Sequence, residues 1–226
     1  MLFKTLIGAI LTILLGPLVI NAQRVLFSED FESDLSQWIG KYGGAHSGVI
    51  VLDPLDPSNQ VVAFRELTGF GDIFSYEFRV IRGEIYVLHF DYLGLPMVGS
   101  VPGNLGGFAG WSQDEHVTMG RWLAGTILSS GATVELIDDG AWHTYAIAFG
   151  FLDFLPSNTT IRVMFEDWDG AHGVPGDAFF DNIRVEEMPP LLRKRGKVYI
   201  EGKLKTRSWE DPVEPTTWGQ VKALYQ

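Results

Sequence analysis

The chain has no cysteine, and that absence alone removes thiol nucleophiles, disulfide scaffolds and Cys-ligated zinc or iron–sulfur centres. Its core must therefore hold by burial. Histidine is sparse: His46, His89, His116, His143 and His172 stand singly, with no His-Glu-x-x-His pair to grip a metal. No Gly-x-Ser-x-Gly elbow is present. The clustered acids Glu166, Asp167 and Asp169 lack the alternate spacing of a Glu-x-Asp-x-Glu strand, where two carboxylates would share one face for glycoside hydrolysis. The expectation is a protein that is not an enzyme. Long amphipathic helices are missing too, since no apolar stripe of 3.6-residue period exceeds two turns.

Positive charge is also short, and it is unevenly placed. The 226 residues carry 17 Lys/Arg against 28 Asp/Glu, a net −11. From Leu191 onward eight basic residues face four acids, so the preceding 190 carry nine against 24. An acidic body repels phosphate backbones; only the tail can attract anions.

Residues 1–22 read as an address. One lysine, Lys4, precedes an uncharged apolar run from Thr5 to Ile20, and Ile20-Asn21-Ala22 supplies a small residue before Gln23. This is the plan of a secretory signal peptide. The alternative is an uncleaved anchor, although the run falls short of the ~20 residues of a full span. Both place the remainder outside the cytoplasmic membrane, secreted or at the cell surface or periplasm, with no stable membrane insertion once the leader is cut.

Residues 23–187 predict an all-β domain. Turn residues punctuate short runs rich in Val, Ile, Phe and Tyr: Val49–Leu52, Val61–Phe64, Ile73–Ile81, Ile85–Tyr92, Thr133–Leu136, His143–Phe149, Thr160–Phe165 and Ala178–Val185. Ile85–Tyr92 and Ile161–Phe165 alternate in character, as half-buried strands do. Many short strands at this spacing indicate a β-sandwich or barrel. Gly94–Gly110 reads as one long Gly/Pro-rich loop, either on a ligand-facing side or without function.

The opening FSEDFESDLSQW (Phe27–Trp38), the closing DAFFDNIRVEE (Asp177–Glu187) and DGAWHTYAIAF (Asp139–Phe149) resemble secreted jelly-roll modules of the carbohydrate-binding and galactose-binding-like kind. The resemblance implies a jelly-roll β-sandwich. It also implies a structural calcium tying the first strand to the last, with Glu32 and Asp181 at the matching positions and Asp30 as a third ligand. Oxygen-only ligation suits that hard cation. The alternative is that these acids are solvated strand ends.

Sugar rings dock flat on exposed aromatic faces, with polar neighbours bonding their hydroxyls. Trp111 and Trp122, with Gln113 and Arg121 between them, form the preferred carbohydrate platform, and Trp168 in a polar loop is the next candidate. Trp38 and Trp142 are assigned to packing. For each of the platform residues packing is the competing role.

Residues 188–226 form a basic extension. Within it RKRGKVYIEGKLKTRSWED (Arg193–Asp211) resembles one strand pair of the OB-fold of bacterial single-stranded DNA-binding proteins. That resemblance implies phosphate contacts from Lys197, Lys203, Lys205 and Arg207 and base stacking on Trp209. The segment is too short for a five-stranded OB-fold, so a solvated basic arm is the competing reading.

Three functions are thus expected in order: a secreted, non-catalytic carbohydrate-binding module taking a polysaccharide or cell-surface glycan by aromatic stacking; a single-stranded DNA-binding protein acting through the tail; a structural or adhesive surface protein.

Overall fold

The computed structural model describes residues 24–65, 72–95, 106–150, 159–167 and 177–188. The expected leader (residues 1–22), Trp168, and Lys197, Lys203, Lys205, Arg207 and Trp209 of the basic extension lie outside the described residues.

The described residues build two stacked antiparallel sheets, a β-sandwich of the jelly-roll type. The strands are β1 (Arg24–Glu29), β2 (Trp38–Ile39), β3 (Gly48–Leu52), β4 (Gln60–Phe64), β5 (Ile73–Ser75), β6 (Phe78–Arg79), β7 (Ile85–Gly94), β8 (Gly107–Ser112), β9 (Arg121–Gly125), β10 (Val134–Glu135), β11 (His143–Gly150), β12 (Thr160–Asp167) and β13 (Ala178–Glu187). One sheet runs β11-β7-β13-β4-β3 with β1 also on β13, and the other runs β10-β9-β8-β12-β5-β2 with β6 also on β12. Every pairing is antiparallel except the two-residue parallel ladder of β10 on β9.

Period-2 alternation explains the sandwich. On β7 Tyr86, Leu88, Phe90 and Tyr92 point inward, and on β12 Ile161, Val163 and Phe165 do the same from the facing sheet. At the centre Phe165 meets Phe180 of β13 at 4.8 Å between ring centroids and Phe90 at 5.9 Å. Truncating one such ring to alanine removes about 3–5 kcal/mol. No disulfide is needed to hold a core of this kind.

The first and last strands close on one another, with Arg24 opposite Glu187 and Glu29 opposite Ile183. The residues after β1 lock that closure. Glu29, buried, accepts hydrogen bonds from the Asp30 and Phe31 amides and from Trp38 Nε1 at 3.2 Å. Phe31 stacks on Trp38, and Phe27 meets the same indole edge-on at 5.4 Å. The acid that organises this opening segment is Glu29.

The expected long loop is corrected at both ends: β7 continues to Gly94 and β8 begins at Gly107. Glycine sits in β8 because neighbours crowd it. A Cβ on Gly107 would come within 2.4 Å of Phe180 Cζ, and one on Gly110 within 2.3 Å of the Arg121 carbonyl oxygen. The expected strand Ile73–Ile81 divides into β5 and β6, both on β12.

Candidate functional site

Strand parity sorts the expected platform. In β8 Ala109 and Trp111 point into the core while Phe108 and Gly110 face outward; in β12 Val163 and Phe165 point inward and Met164 outward. Trp111 is 9% exposed and belongs to the main core, so its ring offers no open face for a sugar. That corrects its place in the platform: it lies opposite Val163, on the wrong side of the sheet. Trp122 of β9 pairs with Gly110, lies half-buried on the outer face, and packs edge-on against Phe108 at 5.3 Å. Gln113 and Arg121, also half-buried, sit at the two ends of the β8–β9 connection. Arg121 lies directly opposite Trp111 and so points to the other side of β9 from Trp122; the hairpin divides the expected platform between two faces.

The same connection carries a feature that the sequence did not announce. Between β2 and β3 a short 3-10 turn, Lys41–Gly43, leans on the β8–β9 connection through a 3.2 Å bond from the Tyr42 amide to the Glu115 carbonyl. Tyr42 holds the left-handed backbone (φ 60°) and its ring is 67% exposed. His116 meets that ring edge-on at 4.7 Å, and Lys41 Nζ lies 5.6 Å from its centroid. Val117, a β-branched residue, is left-handed too (φ 61°). Such conformations in bulky residues cost about 1–2 kcal/mol each, so the surrounding loop has to impose them.

Hydrogen bonds impose the loop. Asp114 accepts from the His116 amide at 2.9 Å and from the Thr118 amide and hydroxyl at 3.1 and 2.8 Å. Desolvation pushes the Asp114 carboxyl up, but the bonds from Thr118 and His116 overcome it and hold the group below its ordinary value. Beneath lies Arg162, nearly buried on the outer face of β12. Its Nη1 donates to the Ser75 carbonyl at 2.9 Å, its Nη2 to Glu77 at 3.2 Å, and its Nε stands 3.6 Å from Glu115. The arrangement is an exposed ring with the His116 imidazole, the Lys41 ammonium and the Glu115 carboxylate near it. Chemically it can stack an apolar face and hydrogen-bond hydroxyls around it.

The expected metal ligands are not gathered. Asp30 and Glu32 are exposed; Asp30 Oδ1 accepts from the Glu32 amide, and Glu32 Oε1 from the Gln60 amide at 3.0 Å. Asp181 is buried, and its oxygens take Asn59 Nδ2 at 3.0 Å and the Asn182 amide at 2.7 Å. Burial raises its carboxyl to about 6, against the pull of those bonds, with Asp91 and Glu32 adding repulsion. Among the described residues no three His, Asp or Glu side chains are placed to hold a metal ion. As arranged, amides bond one oxygen of Asp30, one of Glu32 and both of Asp181.

Trp38 is core, as expected. Trp142 is half-buried on the outer face of the other sheet, where its Nε1 donates to Asp53 at 3.0 Å. Among the described residues no helix is long and apolar enough to cross a membrane.

No protein-family model matches the chain, and no curated protein is similar to it. Among solved structures, the CBM22-1 xylan-binding domain from Paenibacillus barcinonensis Xyn10C aligns over 74% of this chain and 96% of its own, at 12% identity and a TM-score of 0.46. A carbohydrate-binding module (CBM6cm-2) from Cellvibrio mixtus lichenase 5A, in complex with cellotriose, aligns over 74% of this chain and 100% of its own, at 12% identity and a TM-score of 0.36.

Proposed function

We propose that the chain is a secreted, non-catalytic carbohydrate-binding module that takes a polysaccharide or cell-surface glycan by aromatic stacking. The observation that carries this is Tyr42. Its ring is exposed on a backbone that favours glycine, braced by His116 and tied to the connection that leads to Trp122. A large aromatic kept in solvent at a conformational cost needs a use, and stacking on a sugar face with polar groups at its rim is the use that its surroundings fit. Secretion rests on the leader-like residues 1–22, and the absence of catalysis on the lack of a nucleophile, metal or paired-carboxylate pattern in the sequence.

The test is retention of the chain on a panel of soluble and insoluble polysaccharides, with Tyr42→Ala beside it. Retention by one glycan class, lost in the variant, supports the reading. Equal retention of both proteins removes Tyr42 from the site. No retention on any glycan replaces the reading with a structural or adhesive surface role.

A further inference from the structure

Away from the Tyr42 face, a cleft of about 380 Å³ opens where β1 leaves β13. That volume is at the small end of the range for small-molecule sites. Its walls are Ser28, Glu29, Asp30, Ser33, Gln37 and Arg184, over a floor of Asn182 and Ile183.

The cleft exists because both walls depart from regular strand. On β13 the register slips between Asp181 and Arg184, and Asn182 within the slip is left-handed (φ 50°). On the other side Phe31 is left-handed as well (φ 55°), so the chain turns away from β13 just after Asp30. Neither departure is loose. Asn182 Nδ2 donates to Asp91 at 2.8 Å, and Glu29 is fixed by Trp38 Nε1 and by Gln37 Nε2 at 3.3 Å. Bulges re-aim side chains at functional places.

The lining selects a ligand class. Ile183 is buried in the core and the Glu29 oxygens are taken by Asp30, Phe31, Gln37 and Trp38, so the walls present two hydroxyls, one carboxylate, two primary amides and a guanidinium. The Asp30 carboxylate beside the opening opposes phosphate and carboxylate ligands, and the absence of an aromatic side chain from the lining opposes flat stacked ligands. Donors and acceptors interleaved at this density suit a ligand whose groups each donate and accept, as sugar hydroxyls do.

We propose that this cleft is a second saccharide site, separate from the Tyr42 face, that takes one or two sugar residues through hydroxyl hydrogen bonds without stacking. The choice of a saccharide over other polyhydroxy molecules rests on the carbohydrate reading given above; the cleft and its polarity do not. Two sites would let one module bridge two chains, or two stretches of one chain, with the gain that comes from linkage.

The experiment is amide chemical-shift mapping of the ¹⁵N-labelled chain titrated with cellobiose, xylobiose and lactose at millimolar concentrations. Ser33→Trp, which fills the opening from an exposed position, and Tyr42→Ala accompany the wild type. Shifts at Ser28, Ser33, Asn182 and Arg184 that vanish in Ser33→Trp and persist in Tyr42→Ala establish the site. Shifts around Tyr42, His116 and Trp122 alone overturn the second site and leave the first. Shifts at the cleft alone establish it and overturn the Tyr42 reading. Silence at both faces, or cleft shifts unchanged by Ser33→Trp, overturns the proposal.

Discussion

Tyr92, buried, donates a 2.6 Å hydrogen bond from its phenol to Oδ1 of the half-buried Asp138 and accepts the Gly107 amide at 2.8 Å. Gly94 makes room for it, since a Cβ there would lie 2.0 Å from Asp138 Oδ1. The pair joins β7 to the segment before β11 at one end of the sandwich. It also sets a pH dependence.

Desolvation raises the Asp138 carboxyl to about 7, opposed by the Tyr92 bond and reinforced by Asp177, Asp139 and Glu135. The folded protein thus holds a proton that the unfolded chain releases near the ordinary carboxylate value. Stability from this group is complete below about pH 4 and is lost as pH rises towards 7. Asp181, raised to about 6, and Asp91, also raised by burial, act with the same sign. Carboxylates held low, such as Asp114 and Asp139, lose their contribution only in more acidic solution. Thermal unfolding is expected several degrees higher at pH 5 than at pH 8. Asp138→Asn, which keeps an oxygen for Tyr92, narrows that gap; an unchanged gap would clear Asp138 of responsibility.

Tyr42 makes stability and binding separable. Tyr42→Gly relieves the left-handed strain, worth ~1–2 kcal/mol, while adding unfolded-chain entropy of ~0.5–1 kcal/mol. The variant is expected to unfold at slightly higher denaturant than wild type, by about 0.5–1 kcal/mol, and to bind glycan about tenfold more weakly. Denaturant titration and affinity electrophoresis on the same samples decide it. A variant that binds as wild type does would end the role given to this ring.

The two tryptophans of the hairpin should part company. Trp111→Ala empties a core position and is expected to cost about 3–5 kcal/mol in urea unfolding. Trp122→Ala, half-buried and outward, is expected to cost about 1–2 kcal/mol and to weaken glycan binding. Equal costs would mean that the sheet parity assigned to β8 and β9 is wrong.

Calcium gives a direct check on the acids near the strand ends. With amides on Asp181 and with Asp30 and Glu32 turned to local backbone, melting temperatures in excess calcium and in chelator are expected to agree within about 1 °C. A rise of several degrees with calcium would show that these side chains regroup around the ion.

The strands that alternate cleanly were legible in the sequence. Ile85–Tyr92 and Thr160–Phe165 carry a two-residue period that no loop imitates, and they became β7 and β12. β8 was not, because Gly107 and Gly110 look like loop residues until Phe180 and the Arg121 carbonyl are seen pressed against them. Missing β8 hid which way Trp111 points, because in a strand one residue of parity exchanges one face of the sheet for the other. Tyr42 was hidden for a different reason: its placement depends on a bond to Glu115, far along the chain, and the flanking glycines of Gly40-Lys41-Tyr42-Gly43-Gly44 are its only local mark.

The pairing of Arg24 with Glu187 puts the beginning and the end of the sandwich side by side. A polypeptide entering and leaving at one spot can be spliced into the exposed loop of a host protein without prising the host apart, or be cut and rejoined elsewhere in its own sequence. For this module, whatever precedes β1 and whatever follows β13 share a single point of suspension. Anything joined on either side attaches at that same corner.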